Sequence, residues 1–314
     1  MEKSKTPTPS NNLGFDNKVD SGKKRTINPD GSFNIIRKNN FWQEFSLFRL
    51  AITCKWRIYW IIVLSVYLIL NFLFAFIYYN IGAENISGIT GNNCNQFWQC
   101  FFFSLQTFTT VGYGGLHPLG MITNAVAGFE AFLGLMTFAL ATGTLYGRFS
   151  RPEAKIKYSN NVVVSPYGNE GKALMFMLCN NSKGNLVELS AKINFSWVDI
   201  DVHGNSLRKF EVLHLELDKI SMLALTWTIV HAINEESPVY KFTPEDYIKK
   251  DVEIFILITA YDDTFAQIVH SRSSYTATEI IYGAKFKRAF YTNDDGLQVL
   301  DVSNIGEYEK VELS

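Results

Sequence analysis

The sequence predicts a chain in two parts, a membrane-embedded α-helical part with two spans and a short re-entrant helix, followed by a soluble β-sandwich. Three observations carry this. Residues 58–80 (IYWIIVLSVYLILNFLFAFIYYN) contain no charge, residues 119–147 contain only Glu130, and beyond Pro152 the pattern changes to short alternating or β-branched runs. Whole-chain averages hide the segregation: the net charge of -1 over 314 residues exerts no global pull toward nucleic acid, and no nucleic-acid partner is expected.

Residues 1–32 are rich in Lys, Ser, Thr, Asn and Gly and read as a mobile tail, and residues 33–37 (FNIIR) read as a short strand. From Phe41 to Leu50 apolar side chains recur at helical spacing beside Gln43, Glu44 and Arg49, which predicts an amphipathic helix lying in the membrane interface. The first uncharged run has 23 residues. As a helix it reaches roughly 34 Å, enough to cross a hydrocarbon core of about 30 Å. Some fifty polar or mixed residues precede it, so it reads as a span and not as a cleaved signal peptide. Lys55 and Arg57 precede this span, Arg148, Arg151, Lys155 and Lys157 follow the second, and residues 80–118 contain neither Lys nor Arg. Both termini are therefore expected on the cytoplasmic side of the cell (inner) membrane.

Between the spans, Phe97 to Phe108 is apolar and aromatic but too short to cross, which predicts a re-entrant helix. After Pro152, strands are predicted at Val162–Val164, Ala173–Leu178, Leu186–Phe195, Phe210–Leu217, Leu223–Ile229, Ile254–Thr259, Phe265–Val269 and Phe286–Tyr291. Turn residues such as Asn180-Asn181 and Asn293-Asp294-Asp295-Gly296 separate them, the spacing of an immunoglobulin-like β-sandwich. No GxGxxG follows a strand, so a Rossmann-type nucleotide domain is not supported. The predicted domains are residues 1–40, 41–155 and 156–314.

Cys54, Cys94, Cys100 and Cys179 fall at unrelated spacings without a CxxC pair, which indicates neither a zinc site nor a disulfide framework. Cys94 and Cys100 could share an oxidising exterior, but Cys100 lies inside a predicted helix and is expected to pack. His117, His231 and His270 show no metal-ligand spacing and read as structural hydrogen-bonding residues. Nothing indicates nucleophilic catalysis, so an enzyme is not expected.

The chemistry lies in Thr109-Thr110-Val111-Gly112-Tyr113-Gly114, placed between the short apolar helix and the second span. A cation within a membrane must exchange its water for other oxygens, and backbone carbonyls of Thr110, Val111, Gly112 and Tyr113 can form stacked rings for K+, with the Thr110 hydroxyl innermost. Aiming successive carbonyls to one side requires backbone angles that most residues reach poorly, which accounts for Gly112 and Gly114. Tyr113 is expected to pack outward and brace the loop. One chain supplies one such segment, so the ring requires a homotetramer. The short helix ends near Phe108 and aims its partial negative end at the ion path. Potassium is then the permeant ligand, and no cofactor is expected.

The flanking strings resemble those of the inward-rectifier potassium channels, in particular their prokaryotic branch. The resemblance spans roughly residues 30–302. It rests on Phe102-Phe103-Ser104 and Gln106-Thr107 before the filter, His117-Pro118 after it, and Gly147-Arg148-Phe149-Ser150-Arg151-Pro152 closing the inner helix. Further on it rests on His231-Ala232-Ile233-Asn234-Glu235-Glu236-Ser237-Pro238 and on Gln267 through Tyr275. It implies a two-span pore above an immunoglobulin-like domain whose four copies extend the pore into the cytoplasm. Three constrictions are implied: the filter, the helix crossing at Tyr146 with Phe138 two turns above it, and a cytoplasmic loop matching Ala260 to Phe265. Gly134 matches a flexible glycine of the inner helix; a hinge and close packing against the first span, shared with Gly128 and Gly143, are both open.

Departures from the family pattern matter as well. Strongly rectifying relatives carry an acidic residue at the position of Phe138, so strong polyamine-dependent rectification is not implied. Gly115-Leu116 stand where many eukaryotic members place an external arginine, and Glu153 replaces a basic residue. Glu130 is costly to bury and either partners the base of the re-entrant helix or attracts cations from the cavity. Arg148 and Arg151 coincide with the family's anionic-lipid and phosphoinositide sites. Lys38, Lys55, Arg57 and Lys155 join them at the membrane face, where topology signal and snorkelling are the plainer roles. Asp262 and Asp263 either concentrate negative potential at the third constriction or simply form a solvated turn.

Three other readings compete. A nonselective or differently gated two-span cation channel would share the pore but not the His231–Pro238 string. A transporter subunit would carry four filter segments in one chain. An enzyme or receptor merely anchored by two helices leaves the filter unexplained.

Overall fold

The computed structural model describes residues 25–36, 46–152, 154–168, 171–200 and 206–313. It divides into two compact units, with boundaries at Arg37/Lys38 and Arg151/Pro152.

The first unit is helical. Helix α1 (Leu47–Thr53) starts at Ser46, whose hydroxyl accepts from Arg49 N, and ends at an extended Cys54. It overlaps only the end of the helix predicted from Phe41 to Leu50 and runs past it; Phe41 to Phe45 lie outside the described residues. Helix α2 (Trp56–Ile81) has 26 residues and α4 (Gly120–Phe149) has 30, and both are apolar and long enough to cross a membrane. Their outward faces are hydrophobic, with Ile61, Ile69 and Phe76 on α2 and Ile122, Leu135 and Leu140 on α4 exposed. An apolar outer surface suits a helix solvated by lipid.

Helix α3 (Asn93–Phe108) is the re-entrant helix, four residues longer at its start than the sequence predicts. Its Cys100, Phe101 and Phe103 pack with Phe74, Ala75 and Tyr78 of α2 and Ala127 of α4. Phe72 stacks on Phe101 with ring centres 4.5 Å apart, and Tyr78 meets Phe103 edge-on at 4.9 Å. Cys100 is a buried free thiol. Strands β1 (Ile86–Ser87) and β2 (His117–Pro118) pair antiparallel and join the two ends of the outer loop.

The second unit is a β-sandwich. One sheet runs β11 (Gln267–Thr276), β10 (Glu253–Asp262), β6 (Leu186–Ile200), β7 (Ser206–Val212), with β8 (Lys219–Met222) also on β6. The other runs β12 (Ile280–Tyr282), β4 (Val162–Tyr167), β5 (Gly171–Asn180), β3 (Ile156–Tyr158), with β9 (Thr226–Ile233) also on β5. Alternate residues from the two sheets fill the core, among them Phe176 and Leu178 of β5, Ile193 and Phe195 of β6, Ile229 of β9 and Ile254, Ile256 and Ile258 of β10. A short helix α5 (Pro244–Lys249) carries a capping box between Thr243 and Asp246.

Several strands differ from their sequence-predicted bounds. The run from Phe210 leaves the sheet at Val212, and the run from Leu223 pairs only from Thr226. The stretch Phe286–Tyr291 breaks in two, because β13 (Ala284–Phe286) pairs with β16 (Tyr308–Lys310) whereas β14 (Phe290–Thr292) pairs with β15 (Gln298–Leu300). The predicted strand at residues 33–37 reduces, in the described residues, to a single bridge between Ile27 and Phe33.

The predicted tail, residues 1–32, needs a larger correction over its described part, residues 25–32, which docks on the sandwich. Thr26 donates its N–H and hydroxyl to the two carboxylate oxygens of buried Glu253 at 2.8 and 2.9 Å. Arg25 pairs with Glu279 at 3.2 Å, and Ile27 is buried with Phe210 and Phe255.

Candidate functional site

Helix α3 delivers its C-terminus to the segment Thr109–Gly114. Thr109 still belongs to the helix end, its N–H and hydroxyl both donating to Leu105 O. The next amides turn back: Thr110 N donates to Thr107 O at 3.0 Å, and Val111 N and Gly112 N both donate to Gln106 O, at 3.0 and 3.4 Å. Three alternate residues then occupy the left-handed region, Thr110 at φ 57°, Gly112 at φ 52° and Gly114 at φ 84°. Left-handed and ordinary residues in alternation rotate successive peptide planes so that their carbonyls fall on one side.

At Gly112 and Gly114 no heavy atom lies within 4 Å of where a Cβ would be, so backbone angle, and not space, demands glycine there. Thr110 adopts the same angle without that freedom. A β-branched residue at positive φ is strained by about 1–3 kcal/mol. This left-handed threonine went unread in the sequence, although the two-residue spacing of Gly112 and Gly114, carried back one step, points to it.

Tyr113 does not brace the loop within its own chain: its side chain is 80% exposed. A cavity of about 590 Å³ adjoins the start of the segment, lined by Tyr67, Phe108, Thr110, Thr137 and Phe138 among others.

Behind the segment, α4 presents Thr123, Ala127, Glu130 and Gly134 as one buried stripe. Glu130 is fully buried, accepting from Tyr78 Oη at 2.6 Å and from the Ser104 hydroxyl. Ser104 also lies 3.1 Å from Asn71 Oδ1, and Asn71 Nδ2 donates to Tyr67 O. Of the two roles left open for Glu130, this geometry supplies the structural partner: both carboxylate oxygens are spent on α2 and α3. Tyr78, Ser104 and Asn71 were not singled out in the sequence, and only the cost of an unpaired buried carboxylate could have prompted a search for them.

Gly134 packs, but against a different element from the one expected. A Cβ here would stand 2.0 Å from Phe108 O, so the glycine seats the end of α3 rather than α2. Gly128 and Gly143 do not share the role, having nothing within 4 Å of a virtual Cβ. Phe138 and Tyr146 are each 74% exposed.

The basic residues separate into two groups. Lys38 lies outside the described residues, while Lys55, Arg57, Arg151 and Lys155 are exposed. Arg148 is half-buried and engaged by protein, donating to Ala51 O and to Cys54 O, the latter at 2.6 Å. Its guanidinium carbon also lies 4.6 Å from the Trp56 ring centre and 4.9 Å from that of Tyr59.

In the sandwich, the predicted loop from Ala260 to Phe265 is corrected. Ala260 is buried in the core at the end of β10, and Asp262 is buried with its Oδ1 accepting from Thr264 N and Phe265 N. Those bonds hold the β10–β11 turn, which makes Asp262 a turn former. Asp263 remains exposed and accepts from Asn185 Nδ2 at 3.1 Å. His231 lies between His214 O and Ser237 Oγ, both at 2.7 Å, and burial pushes its pKa below the usual imidazole range. Among the described residues no group of three His, Cys, Asp or Glu side chains is placed to hold a metal.

A re-entrant helix feeding a segment of alternating left-handed residues, set between two membrane-spanning helices, defines the pore subunit of a potassium channel. Comparison with known proteins narrows this. Residues 156–314 match the family described as "Inward rectifier potassium channel C-terminal domain", and residues 62–151 match "Ion channel". Inward rectifier potassium channel Kirbac3.1 of Paramagnetospirillum magnetotacticum is 34% identical over 289 residues, covering 91% of this chain and 96% of that protein. ATP-sensitive inward rectifier potassium channel 15 of Mus musculus is 26% identical over 283 residues, covering 84% and 75%. The chain belongs to the inward-rectifier potassium channel family.

Proposed function

We propose that four copies of the chain close a ring around Thr110–Tyr113 and pass K+ down its gradient across the cell (inner) membrane, with both termini cytoplasmic. The alternation of left-handed residues at Thr110, Gly112 and Gly114 carries this reading. With Val111 N and Gly112 N turned back to Gln106 O, the carbonyls of the same stretch are left for the ion. Four copies then stack rings of oxygens that replace the hydration shell of K+. The C-terminal end of α3 adds partial negative charge beside the first ring, and no basic side chain occupies its last turn.

The inner helix supplies the gate. Tyr146 lies near its cytoplasmic end and Phe138 two turns earlier, both with aromatic faces free of their own chain. A phenyl ring at 138 offers a polyamine no charge, so strong polyamine block is absent. Anionic lipid acts through the exposed cations Lys55, Arg57, Arg151 and Lys155, each contributing on the order of 1 kcal/mol at an anionic surface. Of the β10–β11 turn, Asp263 alone keeps an exposed carboxylate for a passing cation. Potassium is the only bound species this function requires.

Flux into vesicles tests the reading. Reconstituted protein is expected to take up rubidium against a potassium gradient and to favour both over sodium by at least about tenfold, a difference of 1.4 kcal/mol. Equal sodium and potassium flux refutes it.

A further inference from the structure

Behind the filter, four fully buried polar side chains form one cluster: Tyr78 and Asn71 of α2, Ser104 of α3 and Glu130 of α4. Tyr78 Oη lies 2.6 Å from Glu130 Oε2, and Ser104 Oγ contacts both Glu130 Oε1 and, at 3.1 Å, Asn71 Oδ1. Asn71 Nδ2 donates to Tyr67 O at 2.8 Å. That last bond fixes the amide, because a carbonyl oxygen only accepts and must face Nδ2. Asn71 Oδ1 is thereby turned to Ser104, where it needs a donor.

Counting hydrogens decides the state of Glu130. Read as ionised, Glu130 accepts from both hydroxyls, and three acceptor atoms, its two oxygens and Asn71 Oδ1, share only two hydrogens. Ser104 spends its hydrogen on the carboxylate, and Asn71 Oδ1 is left facing an oxygen that has nothing more to give. One added proton removes the shortfall. Glu130 Oε1 then donates to Ser104 Oγ, Ser104 donates to Asn71 Oδ1, and Tyr78 donates to Glu130 Oε2, a chain that runs one way and satisfies every member. We infer that Glu130 is held as a neutral carboxylic acid, and that its proton makes it the positioning residue for the last turn of α3 and the base of the filter. The effect on ion selection rests on the channel reading given above; the proton count does not.

Charge points the same way. Residues 58–147 contain neither Lys nor Arg, so the outer loop, α3 and nearly all of both spans offer Glu130 no counter-ion. The groups bonded to it are a phenol from α2 and a hydroxyl from α3, and the thiol of Cys100 packs in the cluster beside Tyr78. An ionised carboxylate buried at membrane depth without a cation is costly, whereas a neutral acid asks only for its hydrogen bonds.

The proton reaches the filter through two contacts in register. Glu130 meets Ser104, and one turn further along both helices Gly134 meets Phe108, leaving no room for a Cβ. Between these contacts lie Leu105 and Gln106, whose carbonyls receive the amides of Thr109, Val111 and Gly112. Helix α4 therefore grips the turn of α3 from which the filter hangs. An acid that gives its proton to Ser104 holds this turn without adding a full charge beside the ion path.

Infrared spectroscopy and ion flux on the full reconstituted chain test the inference. At neutral pH the difference between wild type and Glu130→Gln is expected to contain the C=O band of a protonated carboxylic acid and no carboxylate band. The glutamine amide copies the neutral acid, donating to Ser104 and accepting from Tyr78, so this variant should keep the wild-type sodium-to-rubidium flux ratio. Glu130→Leu fills similar space with neither bond and should raise the sodium share by at least about fivefold, the effect of one net hydrogen bond. Ser104→Ala takes away the acceptor of the proton and should shift the acid band. The inference is overturned if the difference spectrum shows only carboxylate bands, if Glu130→Gln loses the wild-type flux ratio, or if Glu130→Leu keeps it. Should the leucine variant fail to assemble, an unmoved acid band in Ser104→Ala overturns it equally. A wild-type protein that shows the acid band but passes sodium and rubidium alike refutes the channel reading and leaves the proton on Glu130.

Discussion

Replacing Gly134 by alanine sets two accounts of the inner helix against each other. A hinge glycine weakens its helix, so alanine should stiffen α4, add about 1 kcal/mol of stability and leave the filter untouched. The contact with Phe108 predicts otherwise. The added Cβ would lie 2.0 Å from Phe108 O, 2.9 Å from its carbonyl carbon and 3.2 Å from its Cα, where ordinary contact begins at 3.4 Å. The shortfall at the oxygen is about 1.4 Å (3.4 less 2.0), and the obstructing atoms are backbone, which cannot rotate away. Overpacking of this kind costs about 1–3 kcal/mol, so after the helix gain the variant should lose up to about 2 kcal/mol. The displacement falls one residue before Thr109, and so it should also misplace the lowest oxygens of the filter. Thermal unfolding and the sodium-to-rubidium flux ratio, measured on the same preparation, decide the matter: a lower melting temperature with a raised sodium share is expected. An alanine variant with wild-type selectivity and a higher melting temperature refutes the packing argument. Gly128→Ala, with open space around its virtual Cβ, should show the helix gain without the clash.

Three further outcomes follow from the same packing. Glu130→Gln should leave single-channel conductance at low salt unchanged, because the carboxylate is fully buried and held by Tyr78 and Ser104, whereas Glu130→Ala takes the acceptor from the buried Tyr78 hydroxyl, leaves Ser104 only Asn71 Oδ1, and should destabilise the folded chain by roughly 2–5 kcal/mol. Burial holds His231 neutral in the fold, so the unfolded chain takes up the extra proton; stability should be full above the ordinary value of 6.5 and decline as pH falls below it, with a shallower decline in His231→Asn. Ile27→Ala should cost about 2–4 kcal/mol of docking against Phe210 and Phe255, seen as faster hydrogen exchange of the amides from Thr26 to Asn34 with little change in the sandwich core.

The parts of the fold that could be read from sequence are those in which one physical requirement acts over many residues. Two long apolar runs, one free of charge and one holding only Glu130, must be helices in lipid, and β-branched or alternating runs of six or more residues must be strands, so α2, α4, β5 and β10 emerged within three residues of their bounds, while β6 began where expected and ran on to Ile200. Strands of three or four residues, such as β3, β8, β12 and β16, carry too few positions for a period to show. Their pairing is decided by partners distant in the chain, as Ile280–Tyr282 is by parallel contact with Val162–Val164. The docking of residues 25–36 was hidden for a related reason. Thr26 and Ile27 look like ordinary tail residues until Glu253, more than two hundred positions away, supplies a buried carboxylate with no other purpose in view.

At the site the same distinction divides main chain from side chain. Gly112 and Gly114 announce their backbone angles by identity, but Thr110 gives no such sign: it adopts φ 57° where Val111 N and Gly112 N turn back to Gln106 O. Charge was read least well, since sequence gives a residue's sign but not the group that takes it up. Arg148 and Arg151 stand three residues apart, and both matched the positions of lipid-binding residues in the family. In the fold, one cation closes the end of α1 and the other remains exposed. The sign of a basic residue at a membrane face is legible in its identity, but whether a helix end shares that charge, as the end of α1 shares Arg148, is decided by a segment far away in the chain.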